Sequence, residues 1–155
     1  MLNLSKKIVL IGFGFLLFGC MTTKVNLKVE ATDNLNLNQF EEALPVVLKI
    51  YQLSDIQAFK NASFEQLWKS DKSVLANSLL TVEERTVNPS EKLNIEFEQD
   101  ENARFVALVA LFRDRSDNKW RTFHDLNSGS VKLSTSLEVL ISSNSVQLPG
   151  VEVTQ

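Results

Sequence analysis

Val25, Leu27, Val29 and Ala31 alternate with Asn26, Lys28 and Glu30, a period of two that predicts a strand with one face in a core. Residues 32–44 are rich in asparagine and acid, and Pro45 bars a helix from running through into the apolar Val46-Val47-Leu48-Lys49-Ile50-Tyr51. A long loop joining two strands is therefore expected. The period changes over 54–71, where Ile56, Phe59, Phe64, Leu67 and Trp68 are spaced for helical faces and Ser63 with Gln66 fits a capping box. One or two short helices are predicted there. Residues 72–80 read as a helical turn leading into a strand at about 81–87, which Pro89 and Ser90 end.

Leu93, Ile95 and Phe97 alternate with Asn94, Glu96 and Glu98, another half-buried strand. Residues 104–112 differ: Phe105, Ala107, Val109 and Leu111 point one way, and Val106, Leu108, Ala110 and Phe112 the other, so both faces are apolar. Such a strand is central and covered on its outer side as well, and the helical segment with Phe59, Phe64 and Trp68 is the predicted cover. Residues 114–118 form a turn and 120–123 return as the partner strand. Further strands are expected at Val131 and Leu133, at Leu137, Val139 and Ile141, and at Val146 and Leu148. Seven or eight short strands and one helical insertion predict a mainly β protein, an antiparallel β-sandwich. Their order is not readable from one sequence.

The N-terminus adds a location. Lys6 and Lys7 precede an apolar run over 8–18, and small Gly19 precedes Cys20, the only cysteine. The run is shorter than the roughly 20 apolar residues needed to cross a bilayer, and polar Thr22, Thr23 and Lys24 follow at once. The pattern resembles a bacterial lipobox, in which the cysteine thiol receives a diacylglyceryl group and the freed amine a further acyl chain. Several chains hold a protein on a membrane for long times where one does not. A buried core cysteine is the alternative, and position and context favour acylation. The expected division is a cleaved signal over 1–19, an acylated cysteine and tether over 20–24, and the sandwich over 25–155. Met21 is not the aspartate that resembles an inner-membrane retention signal, so Cys20 is expected in the inner leaflet of the outer membrane with the domain in the periplasm.

Losing residues 1–19 takes the formal charge from −3 to −5 with Lys6 and Lys7, which opposes binding to nucleic acid. With Cys20 acylated, no thiol remains for a disulfide. His124 is the only histidine, no G-x-S-x-G accompanies it, and it reads as a loop histidine at a strand end. One histidine cannot supply a zinc site. Asn34, Asn36 and Asn38 alternate as in a calcium loop, but Gln39 stands where the turn glycine belongs and Pro45 where the closing glutamate belongs. Glu96 and Glu98 lie on the polar side of a strand, where solvation accounts for them. No enzymatic activity, cofactor, metal or small-molecule substrate is expected.

Asp33-Asn34-Leu35-Asn36, followed by Ala43-Leu44-Pro45-Val46-Val47-Leu48-Lys49-Ile50-Tyr51-Gln52-Leu53, resembles the TssJ (SciN) family of type VI secretion lipoproteins. Phe59, Phe64, Leu67 and Trp68 resemble the family's helical insertion, Pro89 its next turn, and Val106 to Arg113 with Trp120-Arg121 its hairpin. The resemblance implies a transthyretin-like β-sandwich anchored in the outer membrane. It implies binding to the periplasmic C-terminal domain of TssM, a large inner-membrane subunit, with TssL in the wider complex. The family's partner-binding loop corresponds here to 32–44, with Asn34, Leu35, Asn36, Leu37, Asn38, Gln39, Phe40, Glu41 and Glu42 as the expected contacts. Gln39-Phe40-Glu41-Glu42 replaces the family's more usual glycine, arginine and small residues.

The residues themselves agree with such a loop. Asparagines hold irregular turns through side-chain bonds, leaving Leu35, Leu37 and Phe40 as candidate anchors. Alternatively, the leucines continue the first strand's alternation and Phe40 tucks into the core. Trp120, beside a hairpin turn, reads as a core residue. The leading expectation is an adaptor between two membranes. A ligand-carrying or chaperone lipoprotein is the second, and a sizeable internal pocket would favour it.

Overall fold

The computed structural model describes residues 22–126 and 134–148. Its strands follow the alternation of the sequence: β1 (Lys24–Ala31), β2 (Val46–Leu53), β3 (Leu79–Val87), β4 (Lys92–Glu98), β5 (Phe105–Ala110), β6 (Arg121–Asp125), β7 (Thr135–Ser142) and β8 (Ser145–Gln147). Between β2 and β3 lie α1 (Gln57–Asn61) and α2 (Phe64–Lys69), the two short helices expected, then α3 (Asp71–Leu75) and a 3-10 turn at Ala76–Ser78 where a helical turn was expected. Cys20 and the strand expected at Val131 and Leu133 lie outside the described residues.

The strands form two four-stranded sheets, β4-β1-β7-β8 and β3-β2-β5-β6, the expected β-sandwich. Neighbours are antiparallel except β1 and β7, which run parallel with Leu27 opposite Leu137 and Val29 opposite Val139. Parallel strands need a long connection; here β2 to β6 lie between them, which is why local patterns did not disclose the order. Val25, Leu27, Val29, Val139 and Ile141 of the first sheet and Leu48, Ile50, Val106 and Leu108 of the second are buried in one core.

β5 lies between β2 and β6 and is buried at all six positions, as its two apolar faces require. The helices cover its outer face: Phe59, Leu67 and Leu75 are buried, and the Phe59 ring meets Tyr51 edge-on at 6.1 Å. Trp68 is not part of this cover, being 46% exposed. The reason is a break in helical phase. α1 stops at Asn61, and α2 restarts from Ser63 through the expected capping box, in which Ser63 Oγ accepts from Gln66 N (3.3 Å) and Gln66 Oε1 from Ser63 N (2.8 Å). The new helix turns Leu67 inward, and a step of about 100° carries Trp68 outward.

Two long cations pin this helical layer to the sheet. Lys49 Nζ, almost fully buried, donates to Asp71 Oδ2 (2.8 Å) and to the carbonyls of Leu67 (3.3 Å) and Trp68 (3.4 Å), and lies 3.3 Å from Glu84. It thereby satisfies carbonyls at the C-terminal end of α2, where a positive charge is favoured. Tyr51 Oη donates to the same carboxylate oxygen (3.1 Å). Arg121 holds the other side, donating to the carbonyls of Phe59 (2.8 Å), Lys60 (2.8 Å) and Ala62 (2.7 Å).

Burial opposes ionisation of Asp71, but the Lys49 ammonium, the Lys72 N–H and the Tyr51 hydroxyl outweigh it and hold the carboxyl below the usual range. A depressed carboxylate stabilises the fold above its unfolded value, near 3.9, and that contribution disappears as pH falls through the folded value. Lys49→Ala strands the carboxylate and is expected to lower the unfolding free energy by about 3 kcal/mol. Lys49→Met combined with Asp71→Leu should lose less than the single change, and Asp71→Asn should flatten the acid limb below pH 4. Urea denaturation across pH checks all three; an unchanged midpoint in Lys49→Ala rules out the clamp.

Candidate functional site

Every connection at one end of the sandwich converges on residues 32–44. The chain leaves β1 with Ala31 N bonded to Glu91 O (2.9 Å) and Thr32 N to Ile141 O (2.9 Å), while Ser90 N returns to Thr32 O (3.1 Å). The base of the loop thus joins the β3–β4 and β7–β8 ends. Leu35 then turns inward and is fully buried, and Leu44 N closes the neck on Leu35 O (3.0 Å).

Asn36 is the keystone of the neck. It is 6% exposed and adopts a left-handed backbone, φ 49°, a conformation asparagine tolerates better than most residues. Its N–H donates to Ser143 O (2.7 Å), its side-chain amide to Pro45 O (2.9 Å), and its Oδ1 accepts from Arg113 N (2.9 Å). One residue therefore ties the loop to the turn after β7 and to the connection between β5 and β6. That connection has its own brace: Asp114 accepts from Ser116 N (3.0 Å), Ser116 Oγ (3.1 Å) and Asn144 Nδ2 (3.3 Å). These donors, led by the Ser116 N–H, keep its carboxyl below the usual range.

Asn38 builds the tip. Its Oδ1 accepts from Phe40 N (2.8 Å) and Glu42 N (3.0 Å), and its side-chain amide donates to Glu42 Oε2 (2.8 Å). Its backbone N–H donates to Glu42 O (3.0 Å) and its carbonyl accepts from Glu41 N (3.1 Å). Glu41 completes the turn with φ 61°, a strained choice without glycine. The product is a closed five-residue turn that leaves Phe40 72% exposed.

The expected contacts therefore divide. Leu35 is buried in the core and Asn36 in the neck, with their side chains engaged inside the protein. Leu37 and Asn38 are half-buried, whereas Asn34, Gln39, Phe40, Glu41 and Glu42 are exposed. Phe40 does not tuck into the core. The sequence reading missed the neighbouring connection with Arg113 and Asp114, whose Asp-Arg-Ser-Asp-Asn run was read only as a turn. Trp120 is a core residue as expected, edge-on to Phe64 at 5.2 Å, and Arg115 stacks over that ring at 4.2 Å.

His124 lies within β6 opposite Val106, not in a loop, and burial lowers its pKa against an opposing push from Asp125. Among the described residues no cluster of histidine, cysteine and acid side chains suits a metal ion, and no helix is long and apolar enough to cross a membrane. A recess of about 640 Å³ lies on the outer face of the first sheet, open to solvent and lined by residues including Lys28, Glu30, Lys92 and Glu138.

Replacing Asn36 removes partners from the part-buried Pro45 carbonyl and Arg113 N–H, so Asn36→Ala is expected to cost about 1 kcal/mol in urea denaturation. Asn36→Gly should cost less, because glycine accepts φ 49°. Equal losses would remove the backbone contribution.

The family model for T6SS-SciN, the type VI secretion lipoproteins VasD, EvfM and TssJ, matches residues 23–144. Among solved structures, the type VI lipoprotein TssJ1 from Pseudomonas aeruginosa is 26% identical with a TM-score of 0.76, covering 86% of this chain and 99% of its own. Lip from Serratia marcescens, a membrane-bound component of the type VI secretion system, is 18% identical with a TM-score of 0.75, covering 84% and 98%. A chain in the solved structure of the T6SS protein TssM C-terminal domain from EAEC is 22% identical with a TM-score of 0.70, covering 83% and 98%. Comparison with curated proteins gives no match.

Proposed function

The chain belongs to the T6SS-SciN family of type VI secretion lipoproteins, and from that membership we propose that it is a non-enzymatic adaptor between two membranes. Lipid on Cys20 holds it in the inner leaflet of the outer membrane, after cleavage of residues 1–19. The tip of the 32–44 loop engages the periplasmic C-terminal region of a TssM-like inner-membrane protein, with a TssL-like subunit in the wider assembly.

The observation that carries this reading is the opposition of the two ends. Thr23 O accepts from Gln99 N (2.8 Å) at the start of β1, beside the end of β4, while the loop leaves the far end of β1. Eight residues at about 3.3 Å each put roughly 25 Å between them. A domain tethered just before Thr23 thus presents the loop away from its membrane. Further support comes from the solved structures of a type VI membrane complex and of a TssM C-terminal domain, each holding a chain of this fold.

A carrier role draws less support. The interior between the sheets is filled by Leu27, Leu48, Ile50, Leu108 and their neighbours, and the described recess lies on the outer face of a sheet, open to solvent.

Cells fed a labelled fatty acid are expected to label the wild-type protein and not Cys20→Ala, and the substituted protein should leave the outer-membrane fraction. Label retained by Cys20→Ala removes the anchor. Shortening 37–42 to a Gly-Gly link is expected to abolish calorimetric binding to the partner region while the circular dichroism stays native. Undiminished binding moves the site elsewhere.

A further inference from the structure

Phe40 and Trp68 are the two large apolar side chains that are exposed among the described residues, and their settings differ. Trp68 rides on a helix with Lys69 over its ring at 4.8 Å and Phe64 beside it at 6.0 Å. Phe40 has no ring or cation contact among the described residues. It is raised by a turn in which Asn38 makes three side-chain bonds, to Phe40 N, Glu42 N and the Glu42 carboxylate. Holding a phenyl in water within an ordered turn has no evident use to the isolated fold, because Leu35 already seals the core beneath it.

The charge beside the ring is also uncompensated. Glu41 and Glu42 follow Phe40 in the turn and are exposed, and neither enters an ion pair among the described residues. Some surface carboxylates do find cations, as Glu30 does with Lys92 and Glu96 with Lys24. An apolar plug beside two carboxylates that face no cation is complementary to an apolar socket rimmed by lysine or arginine. Aromatic anchors in such sockets dominate the affinity of an interface, while rim charges steer its association.

We propose that Phe40 is the anchor of the partner interface, that it enters an apolar socket with a cationic rim on the TssM-like protein, and that Asn38 is a positioning residue that presents it. This rests on the adaptor reading. It assigns that reading a specific chemistry: loss of the phenyl acts on dissociation, loss of the carboxylates on association. The preformed turn also spares the partner the cost of ordering the loop.

The test is biolayer interferometry with the full acylated chain in detergent and the periplasmic C-terminal region of its TssM-like partner, in 50 and 300 mM salt. Phe40→Ala is expected to weaken binding more than tenfold through faster dissociation, and Trp68→Ala to leave it within twofold. Glu41→Gln with Glu42→Gln keeps an acceptor for the Asn38 amide. It should slow association several-fold at low salt and remove most of the salt dependence. Asn38→Ala should lose about as much affinity as Phe40→Ala. Asn38→Asp with Glu42→Gln should regain most of it, because the new carboxylate accepts from both N–H groups and the new amide donates to it. A purely structural role would not follow that exchange.

Wild-type binding that survives Phe40→Ala overturns the anchor, and a salt-independent wild-type association rate overturns the cationic rim. Asn38→Asp with Glu42→Gln binding no better than Asn38→Ala overturns the positioning role. Absence of wild-type binding overturns the adaptor reading itself, and this inference with it.

Discussion

A strand that is apolar on both faces cannot lie at a surface, and most of this architecture follows from β5 being such a strand. One face is covered by the opposite sheet. The other needs a third layer, which the chain supplies from the segment between β2 and β3. Those helices have five or six residues each, too few to persist alone, so their stability is that of their docking. Burying Lys49 and half-burying Arg121 beneath them is costly unless each proton finds an acceptor. Main-chain carbonyls at helix ends provide these acceptors, and the orphan groups of short helices and the buried cations solve each other's problem.

The opposite strategy governs the loop end. There the backbone leaves its ladders and regular pairing is absent, so side-chain amides take over: Asn36 bridges three segments and Asn38 closes a turn on itself. Asparagine suits both positions because it donates and accepts at once and tolerates a left-handed backbone. The loop is consequently an ordered projection with its own internal bonding. Its neck is continuous with the core through Leu35.

Strand positions were legible because alternation is a local property. The first strand, the doubly apolar β5 and the capping box at Ser63 all stand as the sequence implied. What was not legible depended on relations between distant segments. The parallel pairing of β1 with β7 leaves no local trace, and Trp68 was misplaced because the phase of α2 is set by its cap and not by Phe59. Leu35 and Phe40 present the same difficulty in miniature. Both are apolar residues in a polar loop, and only the closure of the neck by Leu44 and the bonds of Asn38 decide that one points in and the other out.

The place of β1 in its sheet has a mechanical consequence. Paired along its length with β4 on one side and β7 on the other, it runs directly from the end beside Thr23 to the loop. In the proposed adaptor role, tension between a lipid at one end and a partner at the other acts along the strand. The ladder bonds on both flanks lie across that direction and must shear together, whereas a strand pulled from one end across its neighbours would unzip bond by bond. Resistance to forced unfolding is set by the height of that barrier, and a centrally placed first strand raises it for any load applied between its two ends.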